Sequence, residues 1–95
     1  METGIQKLRA LVETVRCGSI SGAARELDYS QSGVSRMIAD LEREWGVTLL
    51  ERGRRGVRLT ADAKLIMPFV EALCEDERRL AERVREVVGM EAGSL

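Results

Sequence analysis

Two groups of side chains have the types and spacing to contact a negatively charged partner that also offers hydrogen bonds. The first lies on one face of a predicted helix and contains small or hydrogen-bonding residues: Gln31, Ser32, Ser35, Arg36 and Ala39. The second places four positive charges and no acid within residues 52–58: Arg52, Arg54, Arg55 and Arg58. An anion meets the local field of such a cluster rather than the net charge of the chain, which is −1.

Two helices are predicted before the helix that carries this polar face. Apolar residues at intervals of three or four predict a first helix over residues 4–16, with Gly18 as a left-handed terminator. Ser21 is the predicted cap of a second, short helix that runs through Leu27. The first-turn amides of that helix, at residues 21–24, offer a weak site for a phosphate.

A third helix is predicted to begin after the cap Ser30 and to end at Gly46. Its buried stripe consists of Val34, Ile38, Leu41 and Trp45. A helix of about seven residues, a turn and a longer helix is the helix-turn-helix arrangement, whose second helix lies in the major groove of DNA. The polar face of this third helix would then meet the edges of the bases.

The side chains on that polar face suit a DNA groove. Ser32, Ser35 and Ala39 are short enough for a helix to approach closely in a groove about 12 Å wide. Gln31 can pair with adenine and Arg36 with guanine, which are side-chain geometries that discriminate bases. An amphipathic helix whose polar face meets only water is the alternative, and this helix by itself does not decide between the two.

A β-hairpin with a basic turn is predicted directly after the third helix. Residues 48–50 and 57–59 are short strand-like runs on either side of the glycine-punctuated segment 51–56. Arg54 and Arg55 at its tip would reach phosphates or the minor groove, where arginine is favoured. For a turn in isolation, a charge run that meets only solvent is the alternative.

The predicted organisation is a head of residues 1–60, a helix over residues 61–88 and a flexible tail of residues 89–95. Thr60 is the predicted cap of the long helix. Pro68 lies inside it and is expected to kink it or to delay its regular start.

The long helix carries a heptad seam of apolar residues: Ile66, Val70, Leu73, Leu80, Val84 and Val87. The seam is longer than the head can cover, so a second copy of the chain is the simplest partner. Packing against the first helix is expected as well, near Leu65 and Phe69. Glu77 interrupts the seam, where it would either be tolerated at the middle of the pair or pair with an arginine of the partner.

The rest of the composition argues against an enzyme, a metalloprotein and a membrane protein. The sequence has no histidine, no metal-ligand cluster, no phosphate-binding glycine loop and no nucleophile beside a base, so we expect no catalytic residue, cofactor or metal. Cys17 and Cys74 have no CxxC spacing and are expected to be reduced structural thiols. No apolar run has the length of a membrane span and no signal peptide opens the chain, so we expect a soluble, cytoplasmic protein.

These motifs together resemble the N-terminal DNA-binding domain of LysR-type transcriptional regulators. The similarity covers about residues 5–88 and rests on SISGAAREL at 19–27, SQSGVSRMI at 30–38, Leu41-Glu42, Gly46 and GVRLT at 56–60. Three positions depart from the family pattern. Leu50 stands in place of phenylalanine, Gly33 in place of alanine and Ala63 in place of glycine. The first change is expected to loosen hairpin packing and the second to reduce the rigidity of the third helix slightly.

The resemblance implies roles for individual residues. Those implied to contact bases are Gln31, Ser32, Ser35 and Arg36. Those implied to contact the DNA backbone and minor groove are Ser21, Ser30, Arg54 and Arg55. In this family the long helices pair antiparallel in dimers and an effector-binding domain follows them. The chain is therefore expected to be a truncated DNA-binding half or a naturally short relative, with no small-molecule site of its own.

The sequence thus predicts a mainly α fold, a winged helix-turn-helix with a short β-hairpin wing and a long C-terminal linker helix that serves dimerisation. The predicted function is sequence-specific binding of double-stranded DNA as a homodimer, which regulates transcription. A winged-helix module for protein–protein interaction, in which the basic wing is incidental, is the alternative, because a fold does not determine a function.

Overall fold

The computed structural model describes residues 4–93, and the side chains of residues 4–90. Within that range it contains four helices and one antiparallel hairpin: α1 Ile5–Cys17, α2 Ile20–Leu27, α3 Gln31–Trp45, β1 Leu50–Gly53, β2 Gly56–Leu59 and α4 Ala61–Gly93. The helices α2 and α3 form the helix-turn-helix, and the hairpin that follows is the wing. The predicted fold class, a mainly α winged helix-turn-helix, is confirmed.

The helices α2 and α3 end as predicted, and α1 ends one residue later, at Cys17, before the predicted terminator Gly18. The helix α2 begins earlier than predicted. Ser19 rather than Ser21 is its cap: the backbone of Ser19 is extended and its Oγ accepts the N–H of Gly22 at 3.0 Å. Ser21 already lies in the first helical turn, where the backbone is helical, so it cannot take the capping position. The cap of α3 is confirmed, since Ser30 Oγ accepts the N–H of Gly33 at 3.0 Å.

The core lies between α1, α3 and the start of α4. Its largest fully buried side chains are Leu11, Val34, Ile38, Leu41 and Leu49, together with the hydroxyl-bearing Thr14. Thr14 is tolerated there because its hydroxyl donates to the carbonyl of Ala10 at 2.7 Å. Ala63, Met67 and Val70 of α4 join the same core, so the first turns of the long helix pack as part of the head.

The wing is tighter than the predicted hairpin. Leu50 pairs with Leu59 and Gly53 with Gly56, which leaves only Arg54 and Arg55 in the turn. The predicted turn over residues 51–56 is therefore corrected to two residues. The first strand begins at Leu50, two residues after its predicted start. Leu50 itself is buried.

The long helix begins as predicted and continues further than predicted. The N–H of Ala63 donates to Oγ1 of Thr60 at 3.1 Å, which confirms Thr60 as the cap. Pro68 lies within α4, which runs on through Gly89 to Gly93. This corrects the predicted end at residue 88 and the flexible tail of residues 89–95, of which 94 and 95 lie outside the described residues. A glycine costs a helix only about 1 kcal/mol relative to alanine, and Gly89 does not adopt a positive φ that would end it.

The shape of the molecule follows from this helix. Its 33 residues correspond to a length of about 50 Å at the α-helical rise, which accounts for most of the longest dimension of 57 Å. Beyond the head, the second half of α4 extends into solvent. Among residues 4–93, no helix combines the length and the apolar character that crossing a membrane requires.

Candidate nucleic-acid interface

The two faces of α3 are separated as the sequence predicts. Val34, Ile38 and Leu41 are fully buried, whereas Gln31, Ser32 and Arg36 are exposed and Ser35 and Ala39 are half-buried. Gln31, Ser32, Ser35, Arg36 and Ala39 follow the three- and four-residue spacing of one helical face. This face therefore presents short polar side chains and a single arginine to solvent.

The two serines predicted to contact the DNA backbone lie in different surroundings. Ser30 is exposed, and besides capping α3 its Oγ lies 3.3 Å from Oγ of Ser32. Ser21 is half-buried, with its Oγ 3.4 Å from Oγ of Ser19. The amides of the first turn of α2 are not all open to a phosphate, because Ser19 already accepts from Gly22 and Ala23.

The tip of the wing carries two arginines for which residues 4–90 provide no partner. Arg54 and Arg55 are exposed, and among the described residues neither makes a hydrogen bond or an ion pair; the same holds for Arg36 on α3. In contrast, Arg58 lies 3.9 Å from Glu51 on the opposite strand. Seven other cations of the head and of α4 are paired with acids: Lys7, Arg9, Arg16, Arg43, Arg78, Arg79 and Arg83. Within residues 4–90, four more cations make no ion pair: Arg25, Arg52, Lys64 and Arg85. The unpaired guanidinium groups on α3 and at the tip of the wing remain available to an anion.

One backbone contact ties the wing to the turn between α1 and α2. The N–H of Val57 donates to the carbonyl oxygen of Gly18 at 3.0 Å. Gly56 approaches so closely that a Cβ at this position would lie 2.2 Å from the same oxygen, and its φ is +107°. Only glycine fits this conformation and this space. The contact therefore fixes the base of the turn that carries Arg54 and Arg55.

A carboxylate ties the wing to α3. Glu42, on the C-terminal half of α3, accepts the N–H of Leu49 at 2.7 Å and that of Leu50 at 3.4 Å. Thr60 closes the other side, since its N–H donates to Leu49 O at 3.0 Å and its hydroxyl to Thr48 O at 2.6 Å. These bonds hold residues 48–50, which lead into β1, against α3 on one side and Thr60 on the other. Sequence reasoning assigned no role to Glu42 beyond its place in a motif, because its partners are backbone amides that no residue pattern reveals.

This geometry matches a known family. Residues 5–64, more than half of the chain, match the family described as "Bacterial regulatory helix-turn-helix protein, lysR family". The chain belongs to this family. The lysR-family assignment confirms the resemblance seen in the sequence.

Curated relatives of this lysR-family chain are named as transcriptional regulators, and not as enzymes. It is 41% identical over 93 residues to a probable HTH-type transcriptional regulator LrrA from Synechococcus elongatus, and 37% identical over 90 residues to the HTH-type transcriptional regulator TdcA from Escherichia coli. These alignments cover 98% and 95% of the chain, but only 31% and 28% of the relatives. The chain thus spans about a third of the length of these proteins.

Solved structures share its fold. The CbnR_DBD–DNA complex superposes with a TM-score of 0.78 at 29% identity, covering 90% of this chain and 98% of that one. A complex of BenM_DBD with catB site 1 DNA has a TM-score of 0.81 at 29% identity, covering 90% and 96%. Corynebacterium glutamicum OxyR has a TM-score of 0.86 at 26% identity, covering 90% of this chain and 27% of that one. The prediction of a DNA-binding-domain fold is confirmed.

In the lysR-family chain, the predicted dimerisation residues lie along one side of α4, and the head covers only the first two of them. Val70 is only 3% exposed and Ile66 is half-buried, and both pack against the head of their own chain. The remaining four are exposed: Leu73, Leu80, Val84 and Val87. The predicted packing of α4 against α1 is confirmed. The side chains of α4 that are buried there are Met67 and Val70, however, and not Leu65 and Phe69, which are 74% and 73% exposed.

Leu65 is exposed because of the way α4 is rotated about its own axis. Met67 and Val70 are buried, and Leu65 lies two residues, or about 200°, before Met67. Leu65 therefore points away from the head. Glu77 is also placed differently from either expectation: it pairs with Arg9 of its own chain.

The fit of the wing to the α1–α2 turn can be tested at Gly56. We expect Gly56→Ala to lower the free energy of unfolding by about 1–3 kcal/mol, because alanine is strained at this φ and its Cβ would collide with Gly18 O. In a domain of this size that lowers Tm by at least about 4 °C in a thermal melt. Gly53→Ala is the matched control on the paired strand position, since its Cβ would meet nothing within 4 Å. Equal melting temperatures for the two variants would contradict the fit.

Proposed function

We propose that this chain binds double-stranded DNA sequence-specifically as a homodimer and thereby regulates transcription. The observation that carries the proposal is that Arg36 on α3 and Arg54 and Arg55 on the wing pair with none of the described residues, whereas seven of the other ten arginines make an ion pair. The wing that carries two of them is held to α3 by Glu42 and to the α1–α2 turn by the N–H of Val57, next to Gly56. A surface of preorganised free cations beside a polar helix face suits a phosphate backbone and the groove next to it.

Each part of this surface has a proposed role. Residues on the polar face of α3 contact base edges in the major groove: Gln31, Ser32, Ser35 and Arg36. Residues at the flanks contact phosphates and the minor groove: Ser21, Ser30, Arg54 and Arg55. Solved relatives described as DNA complexes, CbnR_DBD and BenM_DBD, support DNA as the partner.

The exposed apolar residues of α4 support the dimer. Leu73, Leu80, Val84 and Val87 recur along one side of a helix that extends beyond the head, and each is about half-exposed or more. Apolar side chains in such a row gain free energy when a second helix covers them. We propose that the α4 helices of two chains pair antiparallel through these residues. We also propose that the protein works in the cytoplasm, and that these residues serve DNA binding and dimerisation rather than effector binding.

The test of DNA binding is selection of bound sites from a random duplex library, followed by mobility-shift titrations at two salt concentrations. Binding through phosphates must weaken steeply as salt rises, because counterions are released from the DNA. Enrichment of one sequence with a steep salt dependence supports the proposal. If no sequence is enriched and no salt-dependent binding is found, the result would instead favour the interaction module, in which the basic wing has no DNA partner.

Arg36 is the residue from which we expect the clearest loss of base discrimination. Arg36→Ala is expected to cost about 1–3 kcal/mol at one base position of the selected site, because it removes a bidentate contact to guanine. Competition titrations with single-base variants of the site measure this loss. Arg43→Ala is the control: it removes the same charge from the exposed C-terminal part of α3, where Arg43 pairs with Asp40. Equal weakening of Arg36→Ala on selected and random DNA would place Arg36 on a phosphate instead.

A further inference from the structure

One side of α4 packs against the head of its own chain, and an ion pair lies at the end of this contact. Its buried and half-buried residues recur at alternating intervals of four and three: Ala63, Met67, Val70, Cys74 and Glu77. The first four contribute apolar surface, whereas Glu77 pairs with Arg9 of α1, which lies 68 positions away in the sequence. Beyond Glu77, the described side chains up to residue 90 are exposed except for Ala81, which is half-buried. Glu77 therefore marks the point where α4 leaves the head.

The surroundings of the ion pair strengthen it. The side chains of Arg9 and Glu77 are 43% and 31% exposed, so water screens their attraction less than it screens a fully exposed pair. Cys74, one turn earlier, shares these surroundings, and its partial burial raises the pKa of its thiol. The ion pairs found beyond this point, such as Arg78 with Glu82 and Arg83 with Glu86, join residues of α4 to each other. They stiffen the helix without fixing its direction.

A small change in the direction of α4 at Glu77 displaces the far end of the helix by several ångströms. We call residues 78–93 the arm; at the α-helical rise it is about 24 Å long. A rotation of about 10° at Glu77 would displace the far end of the arm by about 4 Å, from that length alone. The helix α1, which carries Arg9, in turn packs against α3 through the fully buried Leu11, Ile38 and Leu41. The direction of the arm relative to α3 thus depends on how α1 holds α4.

We propose that Arg9 and Glu77 are positioning residues whose ion pair sets the direction of the arm relative to α3. In the dimer, that direction determines the spacing and the rotational phase of the two half-sites that the two α3 helices reach. The inference rests on the proposed dimer and its DNA binding. Half-sites that differ by one base pair in spacing are rotated by about 35° around the DNA axis, so the setting of the arm selects among operators.

The direction of the arm can be measured without DNA and irrespective of dimerisation. Spin labels are attached to Arg25→Cys on α2 and Arg85→Cys on the arm, both exposed, in a chain whose Cys17 and Cys74 are replaced by alanine. The labelled chain is diluted into an excess of unlabelled chain, so that only distances within one chain are recorded. An intact ion pair is expected to give one narrow distance distribution.

Variants that break the ion pair are compared with matched controls. Arg9→Gln and Glu77→Gln are each expected to broaden or shift the distance distribution. Lys7→Gln is the control for Arg9, since Lys7 pairs with Asp40 inside the head at 3.4 Å. Glu82→Gln is the control for Glu77, since Glu82 pairs within α4. An unchanged distribution in both ion-pair variants, or an equal change in the controls, would overturn the proposal.

The consequence for DNA is measured with duplexes in which the spacing of two half-sites is varied in steps of one base pair. Inserting half a helical turn between the half-sites is expected to weaken DNA binding by the unmodified dimer by about 100-fold, because the second half-site is then out of reach. The same insertion is expected to weaken DNA binding by the ion-pair variants by only about ten-fold. Affinity for a single half-site stays unchanged. The charge reversal Arg9→Glu with Glu77→Arg should restore the spacing preference, and failure to restore it would mean that Glu77 acts elsewhere. If the unmodified chain sediments as a monomer, the proposed dimer fails, while the label distances still decide the role of the ion pair.

Discussion

Replacing Leu80 with aspartate is expected to convert the dimer into a monomer without unfolding the head. Leu80 is 64% exposed within its own chain, so the carboxylate meets water in the monomer and costs little there. In the proposed dimer the same carboxylate would be buried, unpaired, beside aliphatic side chains of the second copy, which is strongly unfavourable. Sedimentation equilibrium gives the oligomeric state, and circular dichroism should show that the helical content is retained.

The loss of the dimer should also change DNA binding. A monomer can occupy only one half-site, so the advantage of linking two half-sites, about 10²- to 10⁴-fold in affinity, is expected to disappear. The preference for half-sites spaced by whole helical turns should disappear with it. Arg85→Asp is the control, because residue 85 lies about 140° around α4 from Leu80 and is exposed. A Leu80→Asp chain that stays dimeric, or an unmodified chain that is monomeric at all accessible concentrations, would contradict the proposed interface.

Replacing Arg54 and Arg55 together with alanine is expected to weaken binding to all DNA sequences. Both side chains lie at the tip of the wing and pair with no residue in the described part of the chain, so we expect their removal to leave no buried acid behind and to leave the fold intact. If each contacts a phosphate, the dependence of log K on log salt should become shallower by about 2 per chain. Titrations of selected and random duplexes over a range of salt concentrations measure this slope.

The control for the wing variant removes the same charge from a distant surface. Arg83 and Arg85 lie on the exposed part of α4, and their double replacement by alanine should leave the salt dependence unchanged. An unchanged slope in the Arg54 and Arg55 variant would mean that the wing points into solvent. A loss confined to the selected sequence would instead assign these arginines to base recognition in the minor groove.

The local elements of this protein were predictable because their signals lie within a few residues of one another. The cap Ser30, the terminator Gly46 and the buried stripe from Val34 to Leu41 depend only on hydrogen bonds and periodicity inside one helix. The error at the start of α2 has the same origin. Ser19 and Ser21 are both good capping residues two positions apart, and the sequence pattern does not separate them.

The phase of α4 could not be predicted, because the helix carries more apolar residues than one side can hold. The heptad seam included Val70, which packs on the head, and it excluded Phe69, which is exposed. Which apolar residues face the head depends on how α4 docks on α1. Helical periodicity does not specify that docking, since several rotations of the helix bury comparable apolar area.

The sequence by itself determined the family, the order of the elements and the residue types offered at the polar face of α3 and at the tip of the wing. Tertiary structure decided how these parts are held together. The N–H of Val57 donates a hydrogen bond to the carbonyl of Gly18, and the N–H of Leu49, just before β1, donates one to the carboxylate of Glu42. Arg9 forms an ion pair with Glu77, 68 positions away in the sequence. Each of these bonds joins groups that become neighbours only after the core has formed, so no local pattern encodes them. The ion pairs of the arginines are of both kinds. Most join an arginine to an acid three or four residues away in the same helix, as for Arg16 with Glu13 and Arg43 with Asp40, which helical periodicity allows. The ion pair of Arg9 with Glu77 forms only because the fold brings the two side chains together.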